Sequence, residues 1–95
     1  MKWSPEFDWD KSNEQHLAKH GINRRDAEDV LLGNHILLEF QMEGSEQRWV
    51  AVGAARDGRI LNIVFAVRDD AMRPITGWAA DKETSEMYLK EWGRG

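Results

Sequence analysis

"QRWVAVGAARDGRILNIVFAV", Gln47 to Val67, is the stretch that decides the fold. Two apolar runs flank Asp57-Gly58, the strongest short hairpin signal in the chain. The first run, Gln47 to Ala55, puts Val50 and Val52 on one side and Trp49 on the other, as a half-buried strand does. The second, Ile60 to Val67, is apolar on nearly both sides, which predicts a central strand. Upstream, "HILLEFQM" (His35 to Met42) alternates, with Ile36, Leu38, Phe40 and Met42 expected on one face, and "EGSE" (Glu43 to Glu46) is a turn. Downstream, "RDDA" turns the chain again into "MRPITGW" (Met72 to Trp78). Pro74 removes a ladder donor there, which predicts an edge position or a strand start.

Outside these strands the signals are helical. "FDWD" (Phe7 to Asp10) reads as a short strand, and Asp10 is a good N-cap for a helix over Lys11 to His20. Gly21 falls where a left-handed stop residue belongs, with Ile22 as the apolar contact that follows it. Asn23 then caps a second helix, with Asp26 placed to close a capping box and Ile22 able to staple against Ala27. That helix buries Ala27, Val30 and Leu31 and ends at Gly33. Asp81 caps a last helix over Lys82 to Trp92, ended by Gly93. The expected order is β-α-α-β-β-β-β-α: an α+β fold of about two layers, an antiparallel meander covered by helices, in a single domain spanning 1–95. The five tryptophans (Trp3, Trp9, Trp49, Trp78, Trp92) are expected mostly in core or rim packing, with one or two left exposed to mark a binding surface.

Composition narrows the chemistry. The chain has 95 residues and no cysteine, which excludes disulfides and thiolate-ligated metal sites. It has no apolar run near ~18 residues and no apolar core of a secretion signal, so a soluble cytoplasmic protein is expected. Its net charge is −4, against non-specific nucleic-acid binding. The charge is uneven, however: Arg48 to Arg73 holds five arginines and three aspartates. An anion footprint belongs there if anywhere, since arginine forks suit phosphate and carboxylate. The plainer alternative is a set of solvated strand and loop arginines.

No nucleophile motif or Gly-rich phosphate loop occurs; "GAARDG" lacks the Lys-Ser/Thr ending. His16 and His20 are four apart, but "HLAKH" lacks the glutamate of a zinc-protease helix and no third ligand is evident, so no metal or cofactor is expected. Metal-free RNA cleavage fits the residue types better. It needs a proton acceptor for the 2′-hydroxyl, a donor for the leaving 5′-oxygen and cations around the phosphate, and each acid or base contributes about 10²–10⁴-fold. Lys19, His20, Arg48, Arg73 and Tyr88 are of these kinds. Lys19 and His20 equally suit a plain basic corner at a helix C-terminus.

Three stretches resemble the BrnT family of toxins from type II toxin–antitoxin pairs: "FDWDKSNEQHLAKHGIN", "EQRWVAVG" and "GRILNIVFAVRDDAMRPIT". The resemblance covers about residues 6 to 90, nearly the whole chain. The resemblance implies a RelE-like ribonuclease fold and an antitoxin partner, BrnA, that carries the DNA-binding domain and joins the toxin in a two-plus-two assembly. It implies Lys19 or His20 in proton transfer and Arg48, Arg68 and Arg73 on phosphate, all expected to face one hollow. Trp78 and Tyr88 are candidate substrate contacts. The family's last strand usually runs into a basic segment, whereas here "GWAADKETSEMY" follows and Trp78 fills an arginine position. That departure leaves a second expectation, a catalytically silent module that keeps the fold and the partner interface.

Overall fold

The computed structural model describes residues 6–93. Trp3 lies outside them. The elements are β1 (Glu6–Phe7), α1 (Lys11–Ala18), α2 (Arg24–Leu32), β2 (His35–Glu43), β3 (Glu46–Ala54), β4 (Ile60–Arg68), β5 (Ala71–Ala79) and α3 (Lys82–Trp92). They make an α+β fold with one five-stranded sheet in the order β1-β5-β4-β3-β2.

The sheet is mixed. β2 to β5 form an antiparallel meander, but β1 pairs in parallel with β5, Glu6 opposite Ala71 and Phe7 opposite Met72. An all-antiparallel sheet is thereby corrected. The "FDWD" strand is also shorter than expected, because Asp10 leaves it to cap α1; Asp8 still donates its amide to the Met72 carbonyl at 2.9 Å. β4 sits centrally, and β5 is next to the edge with Pro74 inside it.

Capping chemistry builds the α1–α2 corner. Asp10 and Asn13 exchange bonds at 2.8 and 3.1 Å, and Asn23 and Asp26 do the same at 3.0 and 2.8 Å. Between the helices the Gly21 amide bonds Ala18 and the Ile22 amide bonds Leu17, at 2.9 and 3.0 Å. This is the Schellman pattern, and Gly21 supplies its left-handed residue at φ 73°. Leu17 and Ile22, which accompany the turn, are fully buried.

A β-strand shows alternate residues to opposite faces. Ala51, Leu61, Ile63 and Phe65 point into the core beneath α1 and α2, with Leu17, Ile22, Ala27, Val30 and Leu31. α1 approaches closely enough that a Cβ on Gly77 would stand 3.1 Å from Leu17 Cδ2. Val50, Val52, Val64 and Ala66 point the other way and are also buried. α3 lies against β2 and β3 and is the described element left to cover them. Its Tyr88 is buried and donates its hydroxyl to the Asn34 carbonyl at 3.0 Å.

The expected face of β2 is broken. A bulge between Leu37 and Glu39 shifts the register, so that Leu37, Phe40 and Met42 pair with Ala51, Trp49 and Gln47 on the α1–α2 side, while Ile36 pairs with Val52 on the other. Trp49 is sandwiched there between Phe40 and Phe65, with ring centroids 5.5 and 5.8 Å away.

Candidate functional site

Turn geometry brings three arginines together. The β4–β5 turn sets Arg68 opposite Ala71 and Arg73 opposite Ala66. The β2–β3 turn sets Arg48 opposite Gln41. Their strand neighbours Trp49, Phe65 and Met72 pack on the core side, so all three arginines project from the opposite face, at the end of the sheet that carries the β2–β3 turn.

Three carboxylates meet them. Glu46 accepts Arg48 Nε at 3.1 Å on one oxygen and Arg68 Nε at 2.5 Å on the other. Arg73 is nearly buried and reaches Asp10 at 2.9 Å and Asp8 at 3.4 Å. Hydrogen bonds from Arg68 first and Arg48 second hold the Glu46 carboxyl below its ordinary value. Asp10 is held down first by the Asn13 amide and then by Arg73. Arg68 is pushed up by its bond to Glu46, with Asp8 and Asp10 adding through space; the six groups make two bonded sets side by side on one face. Their formal charges sum to zero. Both bonds to Glu46 run through Nε, and among the described residues the Nη groups of Arg48 and Arg68 make no hydrogen bond. An anion with several oxygens could engage those groups, or exchange with Glu46, in fork geometry.

Lys19 and His20 are elsewhere. They are exposed at the α1–α2 corner, whose Gly21 carbonyl accepts Arg59 Nη1 at 2.9 Å from the β3–β4 loop. Arg59 also bonds Asp57 at 2.7 Å and Asp26 at 2.8 Å, and these partners, Asp26 before Asp57, push its pKa up. Arg48 is near the start of β3 and this loop follows its end, roughly 20 Å away at ~3.3 Å per residue. α1 also lies on the other face of the sheet. The expected common hollow is therefore corrected: Arg48, Arg68 and Arg73 share a surface, and Lys19 and His20 do not join it.

Trp78 shares the arginine-bearing face, opposite Asn62, but lies toward the far end of β5 and is 39% exposed. Asn62 is buried with its Oδ1 unpartnered among the described residues. Tyr88 is committed to the Asn34 carbonyl, a contact that anchors α3. Among the described residues no group of three or more His, Cys, Asp or Glu is arranged to hold a metal ion, and no helix is long and apolar enough to cross a membrane.

Sequence reasoning missed the carboxylates. Asp10 reads as a helix cap and Glu46 as a turn residue. The available signal was parity: Glu46 and Arg48 are two apart on one strand, and residues two apart share a face.

A family model described as "Ribonuclease toxin, BrnT, of type II toxin-antitoxin system" matches residues 9–83, which include Arg48, Arg68, Arg73, Trp78, Lys19 and His20. None of the curated proteins matches the chain.

Proposed function

Because the chain belongs to the BrnT family of ribonuclease toxins of type II toxin–antitoxin systems, we propose that it cleaves RNA without a metal ion at the arginine end of its sheet. The family implies an antitoxin partner. We take that partner to be BrnA-like and to contribute the DNA contacts of a two-plus-two complex, and we read the fold as a RelE-like variant.

One observation supports the site: Arg48, Arg68 and Arg73 arrive from three adjacent strands on one face and at one end. In the proposed reaction the scissile phosphate draws Arg48 and Arg68 off Glu46. Freed of both guanidiniums, Glu46 returns toward its ordinary pKa and becomes a better proton acceptor. It takes the 2′-hydroxyl proton as the 2′-oxygen bonds to phosphorus and the bond to the 5′-oxygen breaks. Arg73 faces the developing negative charge, and the leaving oxygen takes its proton from water. Trp78 offers a partly exposed ring on the same face for a base further along the RNA, roughly 16 Å from Arg73 at ~3.3 Å per residue.

The test is cleavage of labelled RNA by purified protein in EDTA. Arg68→Ala and Arg73→Ala should each slow it by about 10²–10³-fold, the scale of losing one charge-stabilising donor. His20→Ala should leave it unchanged. Loss of cleavage in His20→Ala with retention in Arg68→Ala would overturn the assignment. A silent interaction module is the second reading, favoured by the full matching of the three arginines with Glu46, Asp8 and Asp10. Intact RNA at high protein concentration would select it.

A further inference from the structure

The sheet has two edges, and only one is protected. On the β5 side β1 covers the first residues, Asp8 bonds the Met72 carbonyl, Pro74 has no amide to offer, and its carbonyl takes Asn13 Nδ2 at 2.7 Å. On the β2 side nine residues, His35 to Glu43, form the last strand with no pairing partner among the described residues. Natural edges are blunted by shortness, proline, charged side chains, bulges or a covering element; β2 has a bulge between Leu37 and Glu39, but past it only Glu39 and Glu43 guard the edge. β2 has no proline and no lysine, and every residue from Glu39 to Glu43 is exposed.

Its unpaired groups can be assigned. The two-residue turn Gly44-Ser45 closes on Glu43 opposite Glu46, so Glu43, Gln41 and Glu39 make the hydrogen-bonded pairs with β3. The N–H and C=O groups of Phe40 and Met42 therefore point outward from the edge. On the α1–α2 side the edge shows Phe40 and Met42, 53% and 55% exposed, and Met42 borders a hollow of about 610 Å³ lined also by Ser45, Glu46, Gln47, Trp49 and Val67. The opposite side of the edge shows Glu39, Gln41 and Glu43. The edge is apolar on one face and acidic on the other, with no cation in the strand.

We propose that β2 takes up an extended segment of a partner protein whose residues alternate between lysine or arginine and apolar side chains. Added as a sixth strand, such a segment gains the free groups of Phe40 and Met42. Its apolar residues lie beside Phe40 and Met42, and its cations lie beside Glu39 and Glu43. A second copy of this chain does not fit. Antiparallel β2 pairing would bring four glutamates together with no Lys or Arg in either strand, and one Arg48 behind each Gln41 does not balance them. The proposal rests on the toxin reading only in naming the antitoxin as the source of the segment; the edge chemistry is independent of whether RNA is cut.

The probe is a fluorescent nine-residue peptide alternating Lys and Val, titrated against the full chain. Controls are a Glu–Val alternating peptide and a Lys/Val peptide of the same composition in two blocks. The alternating Lys–Val peptide should bind best and should slow hydrogen exchange at the Phe40 and Met42 amides. Met42→Pro removes an outward donor without breaking a β3 bond and should weaken binding about tenfold. Glu39→Lys with Glu43→Lys should reverse the preference toward the Glu–Val peptide, which keeps the test valid if the proline variant folds poorly. Equal binding of the peptides, protection away from β2, or a dimer whose Phe40 and Met42 amides are protected without peptide would each overturn the proposal. RNA cleavage measured on the same protein separates this failure from failure of the ribonuclease reading.

Discussion

The two ends of the sheet use arginine in opposite ways. At the β3–β4 end Arg59 joins three pieces of chain: Asp26 of α2, the Gly21 carbonyl and Asp57 of its own loop. Beneath it Leu17 and Ile22 are fully buried. At the β2–β3 end Arg48 and Arg68 share one carboxylate on an outward face, and Phe40, Met42 and Val67 are half exposed nearby. Both sets of arginines are paired, so pairing does not separate structure from function. What separates them is what the paired groups hold. Arg59 closes a corner. Arg48 and Arg68 hold a single glutamate, the group that phosphate displaces in the proposed reaction.

The largest expected difference between the ends is in packing. Ile22→Ala empties a fully buried position at the closed end and should cost about 2–5 kcal/mol. Phe40→Ala removes a larger side chain at the open end but one already 53% in water, and should cost about 1 kcal/mol or less. Urea unfolding of both variants measures the contrast. Equal losses would mean that the open end is as much a part of the core as the corner.

A smaller contrast lies in the arginines themselves. Arg59→Met leaves the Gly21 carbonyl without its donor and should destabilise by roughly 1 kcal/mol. Arg68→Met removes a largely exposed pair and should change stability less than Arg59→Met does. Thermal melts at low and high salt would check the ordering. A larger stability loss from Arg68→Met would assign the open network to folding rather than to substrate.

Much of this division was legible in the chain. Gly21, Asn23 and Asp26 specify the corner by local chemistry, because a left-handed stop and a capping box need only neighbours a few residues away. The grouping of Arg68 with Arg73 was also within reach. Asp69 and Asp70 both adopt positive φ, at 50° and 67°, in a two-residue turn, and counting outward from it puts both arginines on one face. Three things were not legible. The bulge in β2 depends on how Leu37 and Leu38 meet β3, and it reversed the expected face of Ile36 relative to Phe40. The parallel pairing of β1 rests on only two residues and is settled by where α1 docks. The separation of His20 from the arginines depends on which face α1 covers, and no local spacing encodes that.

Acid titration probes the same two ends with the smallest expected change in stability. Glu46 at the open end and Asp57 at the closed end are both held below their ordinary values, Glu46 chiefly by Arg68 and Asp57 by the backbone and side chain of Arg59. A depressed carboxylate favours the fold above its unfolded pKa, and the benefit is lost as pH falls from that value through the folded one. Glu46 should therefore contribute fully above its ordinary value of 4.5, and Asp57 above 3.8, with both contributions fading on acidification. Glu46→Gln and Asp57→Asn should each flatten the acid side of the stability curve. Only Glu46→Gln should also change RNA chemistry. With no carboxylate to compete, Arg48 and Arg68 hold phosphate more tightly, while the proposed proton acceptor is gone. Filter binding should report tighter RNA association and gel assays slower cleavage. Tighter binding with unchanged cleavage would keep the arginines on phosphate but assign the proton to another group, and no change in either would leave the glutamate a purely structural partner.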